Sequence, residues 1–243
     1  MVCIFQCCFN NTCNISVKFI NINIAIFINN LAAPANTKVF SLTHRLHLTQ
    51  PQAYIFDPEL PYWIIYRNQL FDSVCRKLDF DVFEVFRDRQ LTNKLLSSSG
   101  ELRVLKSRNL SDDGKAILDI PGYDSYISYA AAKPLSVFQY LDAPNVYLTP
   151  NMTYKPRMMK KPPHCVVNGS LAILIPKGGI VPTEKQLAYF SSEEYRAFYQ
   201  IARNFQTRSL NVDACSVFFY GLLRDEAKPA PEKFDASVQL SFL

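Results

Sequence analysis

Apolar residues along this chain change their spacing several times, and each change predicts an element. Between Ile20 and Ile28 they alternate strictly (Ile20, Ile22, Ile24, Ile26, Ile28), the two-residue period of a strand. From Trp63 the spacing becomes three and four, through Tyr66, Leu70, Val74 and Leu78. With Pro61 suited to a first turn, this predicts an amphipathic helix over 61–78. Residues 79–87 (DFDVFEVFR), rich in Phe and Val, predict a strand, and 102–106 another after a turn at 97–100. Asp113-Gly114 marks a tight turn followed by a short strand at 116–120. Residues 137–140 and 145–148 predict further short strands, or a strand and a turn. Residues 165–167 and 170–175, joined by Asn168-Gly169, predict a hairpin, because Asn-Gly suits the primed turn of twisted strands. Thr183 introduces a short helix. Ser191 with Glu194 forms a capping box for a longer one, whose apolar face is Tyr195, Phe198, Ile201, Ala202 and Phe205. Residues 216–223 (SVFFYGLL) predict an apolar strand.

That order has no regular βαβ alternation and predicts an α+β fold: a single domain of short strands and hairpins with a few helices. Residues 1–50 carry no acid and no glycine, and they predict an atypical leader, an arm or sequence outside the fold. The folded domain is expected over 51–226 and a tail over 227–243. At 243 residues, with 49% hydrophobic and 19% charged, the chain can bury one core with an arm, and it is not of disordered composition. No basic residue precedes the apolar N-terminal part, as a signal peptide would need. Asparagines at 21, 23, 29 and 30 interrupt residues 19–31, so no membrane span is expected there and a cytoplasmic protein is the expectation. Asn-x-Ser/Thr triplets at Asn10, Asn14, Asn109, Asn151 and Asn168 are then chance matches.

Seven cysteines, four of them at Cys3, Cys7, Cys8 and Cys13, form no regular framework, and neighbouring His164 and Cys165 point to opposite faces of a strand. No metal site is expected. His44, His47 and His164 lack a nucleophile elbow. Lys177-Gly178-Gly179 lacks the spacing of a phosphate loop and predicts a turn. Carboxylates at Glu101, Asp112 and Asp113 leave open a nuclease that uses Mg²⁺. A third alternative is a non-catalytic interaction protein whose strand at 17–31 pairs with another chain.

The net charge of +5 is unevenly spread: +3 over 1–50, +1 over 51–110, −3 over 111–146, +6 over 147–208 and −2 beyond. Basic residues are interleaved with amides and hydroxyls in four segments. The candidate DNA-binding residues are Arg87, Arg89, Gln90 and Asn93; Lys106, Arg108 and Asn109; Thr153, Lys155, Arg157, Lys160 and Lys161; and Arg203, Asn204, Gln206 and Arg208. Lys and Arg neutralise phosphates, while Arg, Asn and Gln can fork onto base edges. Lys155, Arg157, Lys160 and Lys161 are expected to hold phosphate. Arg87, Gln90, Arg108, Asn109, Asn204 and Gln206 are expected to read bases. Tyr62, Trp63, Phe198 and Tyr199 are expected in the core.

The segments YWIIYRNQLFD (62–72), FEVFRDRQLTN (83–93), VLKSRNLSDDG (104–114), VYLTPNMTYKPR (146–157), VNGSLAILIPK (167–177), YFSSEEYRAFYQIARNFQTRSLN (189–211) and SVFFYGLL (216–223) resemble the C-terminal target-recognition region of adenine-specific DNA methyltransferases of type II restriction–modification systems. The resemblance covers about 56–224. It implies a module that reads duplex DNA, while a separate Rossmann-like domain transfers methyl from S-adenosylmethionine. The catalytic motifs of that family, Phe-x-Gly-x-Gly and Asn/Asp-Pro-Pro-Tyr/Phe, are absent. Lys161-Pro162-Pro163-His164 keeps the prolines without the flanking residues. The resemblance therefore implies a specificity part that binds no cofactor itself, with S-adenosylmethionine on a missing domain or a partner chain. A fragment, a truncated frame or one subunit of a split enzyme would each fit.

Overall fold

The computed structural model describes residues 15–18, 24–28, 36–41, 46–206 and 210–224. The protein is α+β and divides into two compact units, residues 1–67 and 68–243. Arg208 and the expected tail lie outside the described residues.

In the first unit β1 (Ile15–Lys18), β2 (Ile24–Ile28), β3 (Asn36–Ser41) and β4 (Leu46–Pro51) form an antiparallel meander in sequence order. Ile24, Ile26 and Ile28 of the alternating run occupy β2, which is paired on both sides, Ile15 opposite Ile28 and Ile26 opposite Val39, while Ile20 and Ile22 lie outside the described residues. Partners for this segment thus come from the leader itself. One helical turn, α1 (Gln52–Ile55), follows.

The helix expected over 61–78 begins later, as α2 (Gln69–Lys77). Asn68 is extended and its side chain accepts the Phe71 N–H at 3.0 Å, which fixes a helix start there. Residues 61–67 are instead tied down by Arg67. Its Nη1 donates to the Tyr54 carbonyl and to Asp57 Oδ2, each at 3.1 Å. The Trp63 and Tyr66 spacing belongs to this irregular segment.

In the second unit α2 leads into β5 (Leu78–Asp79), β6 (Phe83–Phe86), β7 (Leu102–Leu105), β8 (Ser125–Ile127), α3 (Tyr129–Ala132), β9 (Tyr147–Pro150), β10 (Met159–Lys160), β11 (Cys165–Val167), β12 (Leu171–Pro176), α4 (Glu184–Tyr189), α5 (Glu193–Ala202) and β13 (Leu222–Leu223). The strands form an antiparallel sheet in the order β10-β9-β12-β6, a mixed sheet β11-β7-β8, and the pair β13-β5. Among the described residues no helix is long and apolar enough to cross a membrane.

Asn168-Gly169 does not close the expected hairpin. β11 pairs in parallel with β7, whereas β12 pairs with β9 and β6, so the turn carries the chain from one sheet to the next. Asn168 N–H donates to the Leu105 carbonyl, and Gly169 packs so closely on Asp88 that a Cβ there would lie 2.6 Å from its carbonyl oxygen. Two other expected strands also differ: 216–219 is a 3-10 turn, leaving only β13 of the run 216–223 extended, and 116–120 contributes only a bridge between Leu110 and Ile117. Residues 136–140 form a 3-10 turn and 147–150 a strand, the strand-and-turn alternative. Short apolar runs fit either geometry, and burial decides between them. Ser192, not Ser191, caps α5, accepting the Tyr195 N–H. Ser191 Oγ donates to the Asp113 carbonyl instead. The turns at Asp113-Gly114 and Lys177–Gly179 form as expected, with Gly114, Gly178 and Gly179 at positive φ.

Two apolar groups hold this unit together. Val104, Leu105, Ile127, Leu148, Val166, Leu171 and Ile173 join the two larger sheets. Phe71, Phe80, Phe198, Phe218 and Phe219 stack around α2 and α5, with Phe71 and Phe198 ring centres 5.1 Å apart. Each such ring buried contributes about 1.5–3 kcal/mol. Beside them Tyr195, Tyr199 and Tyr220 are buried, and Tyr220 Oη bridges Thr149 Oγ1 at 3.1 Å and Tyr199 Oη at 3.3 Å.

Gly169→Ala forces either the turn or the 86–91 loop to move, and it should cost about 1–3 kcal/mol in urea unfolding. Burial raises the pKa values of Tyr195, Tyr199 and Tyr220 above the ordinary 10.0. The unfolded state therefore loses these protons first. Stability should hold up to pH 10.0 and fall as pH rises beyond it, with a shallower fall in Tyr199→Phe. Urea midpoints followed across alkaline pH check this.

Candidate nucleic-acid interface

Strand pairing brings the C-terminal ends of four strands to one place. β6 ends at Phe86 opposite Ile173, and β9 ends at Pro150 opposite Leu171, the first residue of β12. β7 ends at Leu105 beside Val167, the last residue of β11. The turn 168–170 joins β11 to β12, so the segments after Phe86, Leu105 and Pro150 all leave from the same edge. These are three of the four polar segments singled out above.

Hydrogen bonds lock these segments together. Ser170 Oγ accepts the Ser107 N–H at 2.9 Å and donates to Asn168 Oδ1 at 2.6 Å. Asn151 is buried, and its Nδ2 donates to the Gly169 carbonyl at 2.9 Å and to Asn211 Oδ1 at 2.7 Å. Its Oδ1 accepts the Val212 N–H at 3.0 Å. Arg203 Nη2 donates to the Asn211 carbonyl at 2.9 Å, which adds the fourth segment. Asp88 is buried and accepts the Leu91 N–H at 2.8 Å, shaping the loop that carries Arg87, Arg89 and Gln90.

The candidate residues divide sharply by exposure. Arg89, Gln90, Asn93, Arg108 and Lys155 are exposed on these segments. Gln90 Oε1 accepts the Ser136 N–H, and Arg108 lies over the Tyr123 ring at 4.7 Å. Lys106 stands over the same ring at 4.5 Å and donates to the Tyr123 carbonyl and Ser125 Oγ. Arg87 is half-buried, and burial, then the charge of Arg89, lowers its proton affinity. Thr153 turns back on Lys155, accepting its N–H at 2.9 Å, and Gln206 is half-buried.

Other candidates are internal. Asn109 is fully buried, its Oδ1 accepting the Lys106 N–H and its Nδ2 donating to Leu118 O and Asp124 Oδ1, so it is placed to shape the loop rather than to meet a base edge. Arg157 is buried and donates to the carbonyls of Lys155, Ser107 and Leu110. Lys161 is buried too, its Nζ donating to the carbonyls of Leu141 and Pro162, and burial pushes its pKa down. Arg203 and Asn204 are likewise buried. These side chains brace the frame, and a phosphate cannot reach them in this arrangement. Lys160 is exposed, but it sits opposite Tyr147, at the far end of β9. The basic run that looks continuous in sequence is therefore split between the two ends of the sheet.

The carboxylates considered for a metal are scattered. Glu101 accepts the Tyr129 N–H, Asp112 pairs with Lys155, and Asp113 accepts from Ser111 and Lys115. Among the described residues no group of three or more His, Cys, Asp or Glu could hold a metal ion. Cys75, Cys165 and Cys215 are free thiols.

Residues that sequence reasoning passed over are Asn151, Ser170 and Tyr123. The first two were visible only as parts of turns or chance triplets, and nothing in the sequence places Tyr123 between two cations. No protein-family model matches the chain, and no curated protein matches it significantly.

Asn151→Ala removes the donor to the Gly169 carbonyl and to Asn211 Oδ1, while the Val212 N–H keeps the Asn151 main-chain carbonyl at 3.1 Å, and it should cost about 1–3 kcal/mol for a buried group left unpaired. Its thermal midpoint should fall well below that of the exposed-site variant Asn93→Ala.

Proposed function

We propose that the unit 68–243 is a duplex-DNA recognition module of the kind that gives adenine-specific DNA methyltransferases their target, and that methyl transfer from S-adenosylmethionine belongs to a separate catalytic part. The observation that carries this reading is the convergence of four polar segments, distant in sequence, at one edge of the strands. Loops on a rigid frame are the usual carriers of recognition. Exposed Arg89, Arg108 and Lys155 supply phosphate charge there, while Gln90, Asn93 and Arg108 offer donors and acceptors for base edges. The likeness in residues 62–223 supports the finer assignment to the methyltransferase class, with a catalytic chain or domain as partner.

Fluorescence anisotropy with duplex DNA over a salt series tests the reading. Binding should weaken linearly on a logarithmic salt axis, and Arg89→Ala and Arg108→Ala should each lower the slope by about one. Lys160→Ala, at the opposite end of the sheet, should leave the slope unchanged. Absence of duplex binding at low salt, or equal losses for all three variants, would remove the proposed interface.

A further inference from the structure

The turn 111–116 and the first turn of α5 hold a group of charges of which the reading above uses only Lys155. Lys155 Nζ lies 3.1 Å from Asp112 Oδ2. Arg196 Nη2 donates to the Asp112 carbonyl at 3.1 Å, and its Nη1 pairs with Glu193 at 2.7 Å. Arg157 approaches from beneath, held by the three carbonyls already named, and it interacts electrostatically with both Asp112 and Arg196. Lys155 thus pairs with the Asp112 carboxylate, Arg196 holds the main-chain carbonyl of the same residue, and Arg157 lies behind them on the Lys155 carbonyl, with Glu193 beside Arg196.

Gathering like charges is unfavourable unless an anion sits among them. The hydrogen bond from Lys155, then the charges of Lys155, Arg157 and Arg196, hold the Asp112 carboxyl below its ordinary range. A second observation is independent of charge. Nε of Arg157 and Nε of Arg196 are both buried without a hydrogen-bond partner among the described residues, although Arg157 is only 7% exposed. Unpaired buried donors are rare and ask for an explanation.

The loop that presents Asp112 is fixed. Gly114 takes a positive φ, Ser111 Oγ accepts the N–H groups of Lys115 and Ala116, and Ser191 holds the Asp113 carbonyl. The Asp112 and Lys155 side chains nevertheless remain 67% and 59% exposed, so an outside anion can reach them.

We infer that Lys155 and Arg196, backed by the buried charge of Arg157, form a phosphate-binding site whose ligand position is filled, in the free protein, by the Asp112 carboxylate. A carboxylate and a phosphodiester each carry one negative charge and two strongly accepting oxygens, so one can replace the other on the same cations. Lys155 and Arg196 meet the incoming oxygens, and Arg157 acts through its charge from below. The site rests on the DNA reading for the source of the phosphate, a backbone phosphodiester. Asp112 acts as a brake there: each binding event must first displace it.

Asp112→Asn keeps the shape and removes the competing charge. It should tighten duplex binding by about three- to tenfold and steepen the salt slope by about 0.9. It should also tighten binding of inorganic tripolyphosphate, measured by calorimetry. Glu184→Gln, an equal change of net charge at the start of α4, should do neither. In an Arg196→Gln background Asp112→Asn should give no gain. If Asp112→Asn and Glu184→Gln behave alike, or the gain survives Arg196→Gln, the inference is wrong while the DNA reading stands. If Asp112→Asn strengthens tripolyphosphate binding but no variant binds duplex, the site stands and the DNA reading falls. Thermal midpoints establish that each variant is folded. Should Asp112→Asn not fold, exposed Lys155→Met provides the same decision, because retained tripolyphosphate affinity there would overturn the site.

Discussion

The second unit depends on one close approach between main chains. Between β11 and β12 the chain must leave one sheet and enter another within three residues, and Gly169 makes this passage with its Cα against the Asp88 carbonyl. Asn168 on one side binds the end of β7, and Ser170 on the other binds the start of the next loop. Because only a residue without a side chain fits, the ends of β6, β7, β9 and β11 can meet β12 at a single edge. The candidate interface follows from that meeting, since separate loops acquire a common address only when their strands end together.

The same geometry explains why charge counted along the sequence misleads. Residues 147–208 hold the densest positive charge, but Arg157, Lys161 and Arg203 point inward and satisfy main-chain carbonyls. Burying a cation is costly unless donors find partners, and here carbonyl-rich turns supply most of them. Arginine and lysine therefore perform two distinct tasks on adjacent positions: internal braces at 157 and 161, solvent-facing charges at 155 and 160. The spacing of basic residues cannot separate these tasks, because both need the same side chains.

Much of the frame was nevertheless legible. β6, β7 and β12, the Thr183 cap of α4 and the buried face of α5 follow directly from β-branched runs and helical spacing. Misreadings fell where local pattern meets tertiary demand. Tyr66 and Leu70 share a helical period, but Asn68 between them starts a helix of its own. Residues 137–140 and 216–219 are apolar enough for strands, yet they wind into 3-10 turns. Asn168-Gly169 was rightly read as a turn, but its partners lie at Asp88 and Leu105, too far along the chain for any local rule to find. Of the interface, the four segments were visible and their assembly was not, because convergence is a property of pairing order.

That pairing order also governs how the molecule comes into being. β12 lies between β9 and β6, so Phe86 waits for Ile173 before its strand has a neighbour. During synthesis β6 emerges with an unpaired edge, and β12, the last strand of this sheet in the chain, pairs with both β6 and β9. Such non-local closure is slow. The edge proposed for binding is thus incomplete until β12 has docked between β9 and β6.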